Sequence, residues 1–245
     1  MKRKFWNWIQ NQDESDASMR TLFLNGEISD ETWFGDEVTP KVFRSELEAG
    51  TGPINVWINS PGGDVFAAAQ IYNMLMDYPF DVTVMIDGLA ASAASVIAMA
   101  GTTVQMSPVA MRMIHNPATI AIGDSEEMKK AIKMLDEVKE SIMNAYEIKT
   151  GLSRDRISKL MDAETWFNAK KAVELGFADE IMFSEGSTDK ADMNVSDSAE
   201  PFVFSRQAVM NSMLSKLIPS KEEAKVTEKR TPKAQLEKRL NLISH

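Results

Sequence analysis

A strand that ends in two glycines, a helix, and a second strand that runs into glycine and small residues together leave few folds open. Residues 54–59 alternate and are rich in β-formers, and Ser60-Pro61-Gly62-Gly63 closes the run with turn residues. Over residues 64–78, Val65, Ala68, Ala69, Tyr72, Leu75 and Met76 recur at helical spacing. Residues 82–87 return to a strand pattern, and Gly88 then opens a small-residue helix that reaches Gly101. Residues 103–106 and 111–115 read as further strands. Strand, helix, strand, helix at these spacings predicts right-handed crossovers and a largely parallel sheet, so the fold class is α/β.

The rest of the chain supplies the boundaries. Residues 1–18 read as a mobile or partner-docking arm, and the folded domain is expected over 19–183. It starts with a short strand at 21–24 and a helix within 31–48. Asp124 opens a long helix, with Glu127 three residues on as in a capping box, and Gly151 ends it. Met128, Ala131, Ile132, Leu135, Val138, Ile142, Ala145 and Tyr146 form one apolar face along it. Ser153 starts a shorter helix to Met161, and residues 169–175 form another, stopped by Gly176. After Phe183 the composition turns to Ser, Asp, Glu and Gly, so residues 184–245 are expected to be a linker and a partly helical C-terminal extension. Apolar spacing returns there at Met210, Met213, Leu214, Leu217 and Ile218.

Composition excludes several chemistries. The 245 residues include no cysteine, which removes thiol nucleophiles, disulfides and cysteine-rich zinc sites. There are two histidines, His115 and the terminal His245, so a metal site with several histidine ligands is not expected and any histidine chemistry falls to His115. The net charge of −9 argues against binding nucleic acid or anionic membrane through the main body. Residues 219–245 carry seven Lys or Arg against four Glu, or +3, which leaves −12 on the rest. The N-terminal Met-Lys-Arg-Lys is followed by a segment too polar for a signal peptide, and residues 88–101 are too short to span a bilayer. No G-x-x-x-x-G-K-[ST] phosphate loop is present, and no cofactor is expected.

Three segments carry candidate chemistry. In Ile58-Asn59-Ser60-Pro61-Gly62-Gly63-Asp64, a glycine pair between strand and helix uncovers backbone N–H groups that suit a developing negative charge. The same residues also read as an ordinary strand-to-helix turn. In Gly88-Leu89-Ala90-Ala91-Ser92-Ala93-Ala94-Ser95, Ser92 stands between a strand end and a helix start. That suits a nucleophile aided by the helix dipole, and it also suits a simple cap. Ser95 competes for the role, but lies inside the helix, where a hydroxyl tends to bond back to a carbonyl. In Met111-Arg112-Met113-Ile114-His115-Asn116-Pro117, His115 ends an apolar strand, placed either as a general base or as a buried histidine satisfied by backbone.

Together with residues 169–181, these runs resemble the proteolytic subunit of the Clp protease in order and spacing, across roughly residues 21–181. The resemblance implies a ClpP/crotonase-like fold of repeated β-β-α or βαβ units with a projecting handle helix. It implies serine endopeptidase activity, with Ser92 as nucleophile, His115 as general base, and the N–H groups of Gly63 and Ala93 as the oxyanion hole. The family's acid is usually Asp. Counting back from the matched Ala169 and Gly176 puts Glu164 at that position, with Asp162 as the alternative. The resemblance further implies polypeptide substrates, heptameric rings stacked in pairs, and a cytoplasmic setting. The extension past residue 181 is similar to that of proteases in bacteriophage capsid gene clusters, which implies a scaffold or capsid protein as partner. The housekeeping alternative implies an ATP-dependent Clp unfoldase, and a crotonase-like acyl-CoA enzyme is a further alternative of the same fold.

Overall fold

Eight strands among the described residues form one sheet, and its branching decides where the site lies. The strands are β1 (Trp6–Gln10), β2 (Arg20–Asn25), β3 (Ile54–Ser60), β4 (Val82–Ala91), β5 (Thr103–Met106), β6 (Met111–Ile114), β7 (Thr165–Asn168) and β8 (Glu180–Ile181). The helices are α1 (Pro40–Glu48), α2 (Val65–Met76), α3 (Ala93–Ile97), α4 (Ser125–Thr150), α5 (Arg154–Asp162) and α6 (Ala169–Glu174). The computed structural model describes residues 5–10, 20–29 and 40–183. The chain divides into two compact units, Met1–Val209 and Met210–His245, and every described residue belongs to the first. The expected linker and extension, and residues 31–39 of the first expected helical segment, lie outside the described residues.

The main path runs β1-β2-β3-β4-β5-β8. From β2 to β8 every pairing is parallel, as expected, while β1 joins β2 antiparallel. A parallel strand between helical layers is covered on both faces. β3 fits that demand, with Val56 and Ile58 fully buried and Trp57 nearly so. Asp64 caps α2 by accepting a 2.7 Å bond from the Ala67 N–H, and α2 buries Ala67, Ala68, Ile71, Met74 and Leu75. The buried stripe is therefore rotated from the expected one, because Met76 points to solvent.

β4 is the branch point. Its first half pairs with β5, Thr83 opposite Thr103 through Ile86 opposite Met106. Its second half pairs with β6, Leu89 opposite Met111 through Ala91 opposite Met113. Between these halves the register with β3 also shifts, from Ile58 opposite Ile86 to Ser60 opposite Ala90. Extra residues on one strand bend it, and that bend lets two neighbours share one edge of β4 in succession.

Several local expectations change. The small-residue helix is not continuous from Gly88, because residues up to Ala91 are drawn into β4 by the β3 and β6 ladders. Only Ala93–Ile97 is α-helical, followed by a 3₁₀ turn at Ala98–Ala100. β7 and β8 are not among the expected strands; β8 is only two residues long. Part of the expected arm is built into the sheet as β1, with Trp6 buried edge-on against Phe43 at 5.4 Å. The apolar face of α4 splits in two. Ile142, Met143, Ala145 and Tyr146 are buried, whereas Met128, Ile132 and Met134 are exposed, so the first half of the helix is not covered by its own core. Asp124 Oδ1 accepts from the N–H groups of Glu126 and Glu127, but the Glu127 carboxylate bonds Lys130. Only the Asp124 half of the capping box forms.

Candidate active site

Parallel pairing sets the ends of β4 and β6 side by side. Ala91 lies opposite Met113, and the Ser92 N–H donates to the Met113 carbonyl at 2.9 Å. One residue past each strand's end, Ser92 Oγ and His115 Nε2 stand 2.7 Å apart. The Ser92 hydroxyl makes no capping bond to α3, so the cap reading of this serine does not hold in the structure.

The Ser92 backbone is strained. Its φ of 53° and ψ of −125° mirror the first central position of a type II turn, a region that glycine normally fills. A side chain held there costs about 1–3 kcal/mol and persists only where the surroundings enforce it. Part of the enforcement comes from Gly62, where an added Cβ would lie 2.7 Å from Ser92 Cβ and 2.8 Å from the Ala91 carbonyl oxygen. Glycine at position 62 is therefore required by the close approach of two turns.

Gly63 is fixed from the other side. The Ile28 N–H donates to the Gly62 carbonyl at 2.8 Å, and the Asp64 N–H donates to the Ile28 carbonyl at 2.9 Å. This brackets Gly63 in a parallel bridge with Ile28. The central residue of such a bridge turns its own N–H away from its partner. The Gly63 N–H thus faces away from Ile28. The Ala93 N–H is one of the first N–H groups of α3, which have no partner within the helix. α3 is five residues long, so its dipole adds little, and individual N–H groups must carry any anion binding.

The two candidate acids have different surroundings. β6 and β7 pair antiparallel, with Met113 opposite Trp166 and Ile114 opposite Thr165. One step further along that register sets His115 opposite Glu164. Glu164 is half-buried and has a φ of 48°, a second strained position next to the site. Asp162 is committed elsewhere. Its Oδ1 accepts from Lys139 Nζ at 2.6 Å and from Asn116 Nδ2 at 2.9 Å. The Lys139 bond first, then that from Asn116, holds its carboxyl below the usual carboxylate range. Its side chain is 54% exposed.

Behind Ser92 lies a buried polar cluster. Ser95 Oγ donates to the Ser92 carbonyl at 2.6 Å, the back-bond expected of it, and lies 2.7 Å from the Tyr146 hydroxyl of α4. Arg112 is fully buried, and its guanidinium donates to the carbonyls of Ser95 at 2.5 Å and Phe177 at 2.7 Å. Burial pulls its pKa down to about 10, partly offset by Tyr146, and burial also pushes the Tyr146 hydroxyl up. Sequence reasoning assigned neither residue to this place. Arg112 was visible as a charge inside an apolar strand, while Tyr146 was indistinguishable from its apolar neighbours. Among the described residues no group of three or more His, Cys, Asp or Glu could hold a metal ion.

The Clp protease family profile matches residues 10–185. The chain belongs to the Clp protease family. Among its relatives is the ATP-dependent Clp protease proteolytic subunit 2 of Thermobifida fusca (strain YX), 30% identical over 165 residues, which cover 66% of this chain and 80% of the relative. The proteolytic subunit of Mesostigma viride is 31% identical over 180 residues, covering 73% and 78% of the two chains. Proteolytic subunit 1 of Chlamydia muridarum (strain MoPn / Nigg) is 31% identical over 170 residues, covering 67% and 87%. Membership of the Clp protease family makes this a chain of the serine peptidase class with the mixed α/β fold expected from its sequence. The matched span holds every candidate site residue, from Gly63 to Glu164.

Proposed function

We propose that this chain is a serine endopeptidase in which Ser92 is the nucleophile, His115 the general base and Glu164 the acid that orients it. The carrying observation is the 2.7 Å contact between Ser92 Oγ and His115 Nε2. Ser92 Oγ attacks the scissile carbonyl carbon while His115 Nε2 takes its proton. The carbonyl oxygen becomes an oxyanion, received by the N–H groups of Gly63 and Ala93. His115 then returns the proton to the leaving amine, and an acyl-enzyme remains on Ser92. Water, giving a proton to His115, attacks the ester carbonyl, and His115 passes that proton to Ser92 Oγ as the C–O bond breaks and the acid product leaves. Glu164 is favoured over Asp162 by the β6–β7 register, and by the Lys139 and Asn116 bonds that occupy Asp162.

In this reading the folded domain takes in β1 of the expected arm together with residues 19–183, is followed by the extension, and acts within a homo-oligomeric chamber, as heptameric rings stacked in pairs. Support comes from the exposed Met128, Ile132 and Met134 on α4, apolar surface that a second copy would cover. Polypeptide is the substrate, cut in the cytoplasm of a bacterial host. Two partner readings follow. A phage or prophage protease would process scaffold or capsid protein, a reading suggested by the chain beyond the matched residue 185. A proteolytic subunit fed by a Clp-type ATPase is favoured by the names of the relatives, which are ATP-dependent proteases.

A fluorophosphonate probe read by mass spectrometry tests the chemistry. Ser92 is the expected site of labelling, and Ser92→Ala abolishes it. Labelling at Ser95, or none in an assembled sample, overturns the reading. Degradation assays with a Clp ATPase and with the cognate scaffold separate the two partners.

A further inference from the structure

The polar cluster beneath the nucleophile has no part in the mechanism above, yet it is buried and joined to the Ser92 main chain. The Ser92 carbonyl accepts two bonds from one residue, the Ser95 N–H at 2.9 Å and Ser95 Oγ at 2.6 Å. A hydroxyl has one proton to give. Because Ser95 gives its proton to Ser92, the Tyr146 hydroxyl at 2.7 Å must be the donor in the other contact. The Arg112 guanidinium holds the Ser95 carbonyl from below. Ser95 is therefore pinned through its side chain and its backbone by residues from α4 and β6.

The peptide unit between Ser92 and Ala93 is planar and trans, so its N–H points opposite to its carbonyl. Clamping the Ser92 carbonyl therefore aims the Ala93 N–H. Without the Ser95 hydroxyl, only the Ser95 N–H is left on that carbonyl, and the plane is held less firmly at a residue already strained at φ 53°.

We propose that Ser95 is a positioning residue for the oxyanion site: through its hydroxyl, with Tyr146 behind it, it locks the Ser92–Ala93 peptide plane so that the Ala93 N–H faces the developing negative charge. This rests on the reading of Ser92 as nucleophile and of Ala93 as oxyanion donor. Ser95 touches neither substrate nor His115 in this role, so the proton-transfer machinery is independent of it.

Ser95→Ala, Ser95→Thr and Tyr146→Phe in the full chain separate this role from a packing role. The readouts are the fluorophosphonate labelling rate at Ser92 as a function of pH, the affinity for a peptide boronate that forms a tetrahedral adduct on Ser92, and the melting temperature. Ser95→Ala is expected to slow labelling about 10–100-fold and weaken the boronate by a similar factor, as a misaimed donor does. The pH at which the rate half-falls stays at its wild-type position. Ser95→Thr restores the rate, and Tyr146→Phe slows it in the same direction by a smaller factor. A lowered melting temperature with wild-type labelling overturns the proposal, as does a slower rate that comes with a displaced pH profile. If Ser95→Ala does not fold, Tyr146→Phe decides alone, and wild-type labelling by that variant overturns the proposal. Wild-type protein labelled at Ser92 with an unaffected Ser95→Ala refutes this inference only. Wild-type protein without label at Ser92 refutes the parent reading and this one with it.

Discussion

Replacing Gly63 by alanine tests whether the turn that presents its N–H has any slack. An added Cβ would lie 2.1 Å from the Ile28 carbonyl oxygen, where real Cβ atoms essentially never come within 3.0 Å of a heavy atom. The two backbones must therefore part by about 0.9 Å, and no flexible side chain can absorb the movement. The residue's φ of 144° adds strain of about 1–3 kcal/mol for any side chain. Parting the chains also weakens the Ile28-to-Gly62 and Asp64-to-Ile28 bonds, each worth about 1 kcal/mol. The expected destabilisation is about 3–4 kcal/mol, or roughly 10 °C in melting temperature for a folded unit of this size. A donor displaced by close to 1 Å should slow fluorophosphonate labelling of Ser92 about 100-fold. Gly26→Ala is the control, because Gly26 shares a positive φ of 83° but its added Cβ meets nothing within 4 Å. That variant should lose only about 1–2 kcal/mol through backbone strain and keep its labelling rate. A Gly63→Ala protein that melts with Gly26→Ala and labels at the wild-type rate would falsify the claim that this turn is closed on Ile28.

Three further outcomes are expected. Glu164→Ala should slow Ser92 labelling about 10²–10⁴-fold, the range for losing an imidazole-orienting acid, while Asp162→Ala should cost less than about fivefold; the reverse order would move the acid to Asp162. Because Lys139 and Asn116 hold the Asp162 pKa down in the folded state, its ionised form favours folding above the unfolded-state value, and the gain is lost as pH falls through the depressed value. Wild type should therefore melt above Asp162→Asn near neutral pH, with the difference closing as pH falls below the ordinary carboxylate range; a gap that widens on acidification contradicts the assignment. Ile132→Glu, on the exposed face of α4, should shift sedimentation toward smaller species with Ser92 and His115 intact, since burying an isoleucine contributes about 1.5–3 kcal/mol; an unchanged assembly rules out that face as an interface.

Much of the site was legible because its signals are local. Ser60-Pro61-Gly62-Gly63 announces a tight turn by composition, and Asp64 caps the next helix as its residue type allows. A serine among alanines and glycine, and a histidine at the end of an apolar strand, were both visible as candidates. Other features resist sequence reasoning because they depend on partners distant in the chain. The fate of residues 88–91 turned on whether β6 and β3 would claim them, and their small side chains are compatible with helix or strand. Asp162 and Glu164 are two residues apart and chemically alike, so nothing local separates them. The β6–β7 register and the Lys139 bond do.

The sequence by itself determined the class of fold, the order of its elements and the short set of residues with usable chemistry, because period, turn composition and residue type act over a few neighbouring positions. Tertiary structure alone decided that β4 bends and shares one edge between β5 and β6. That bend brings Ser92 to His115 across 23 positions of sequence. It also decided that Tyr146 and Arg112 close around Ser95 beneath Ser92. Those contacts follow from strand register and helix packing, which are settled by burying the whole core at once rather than by any one segment.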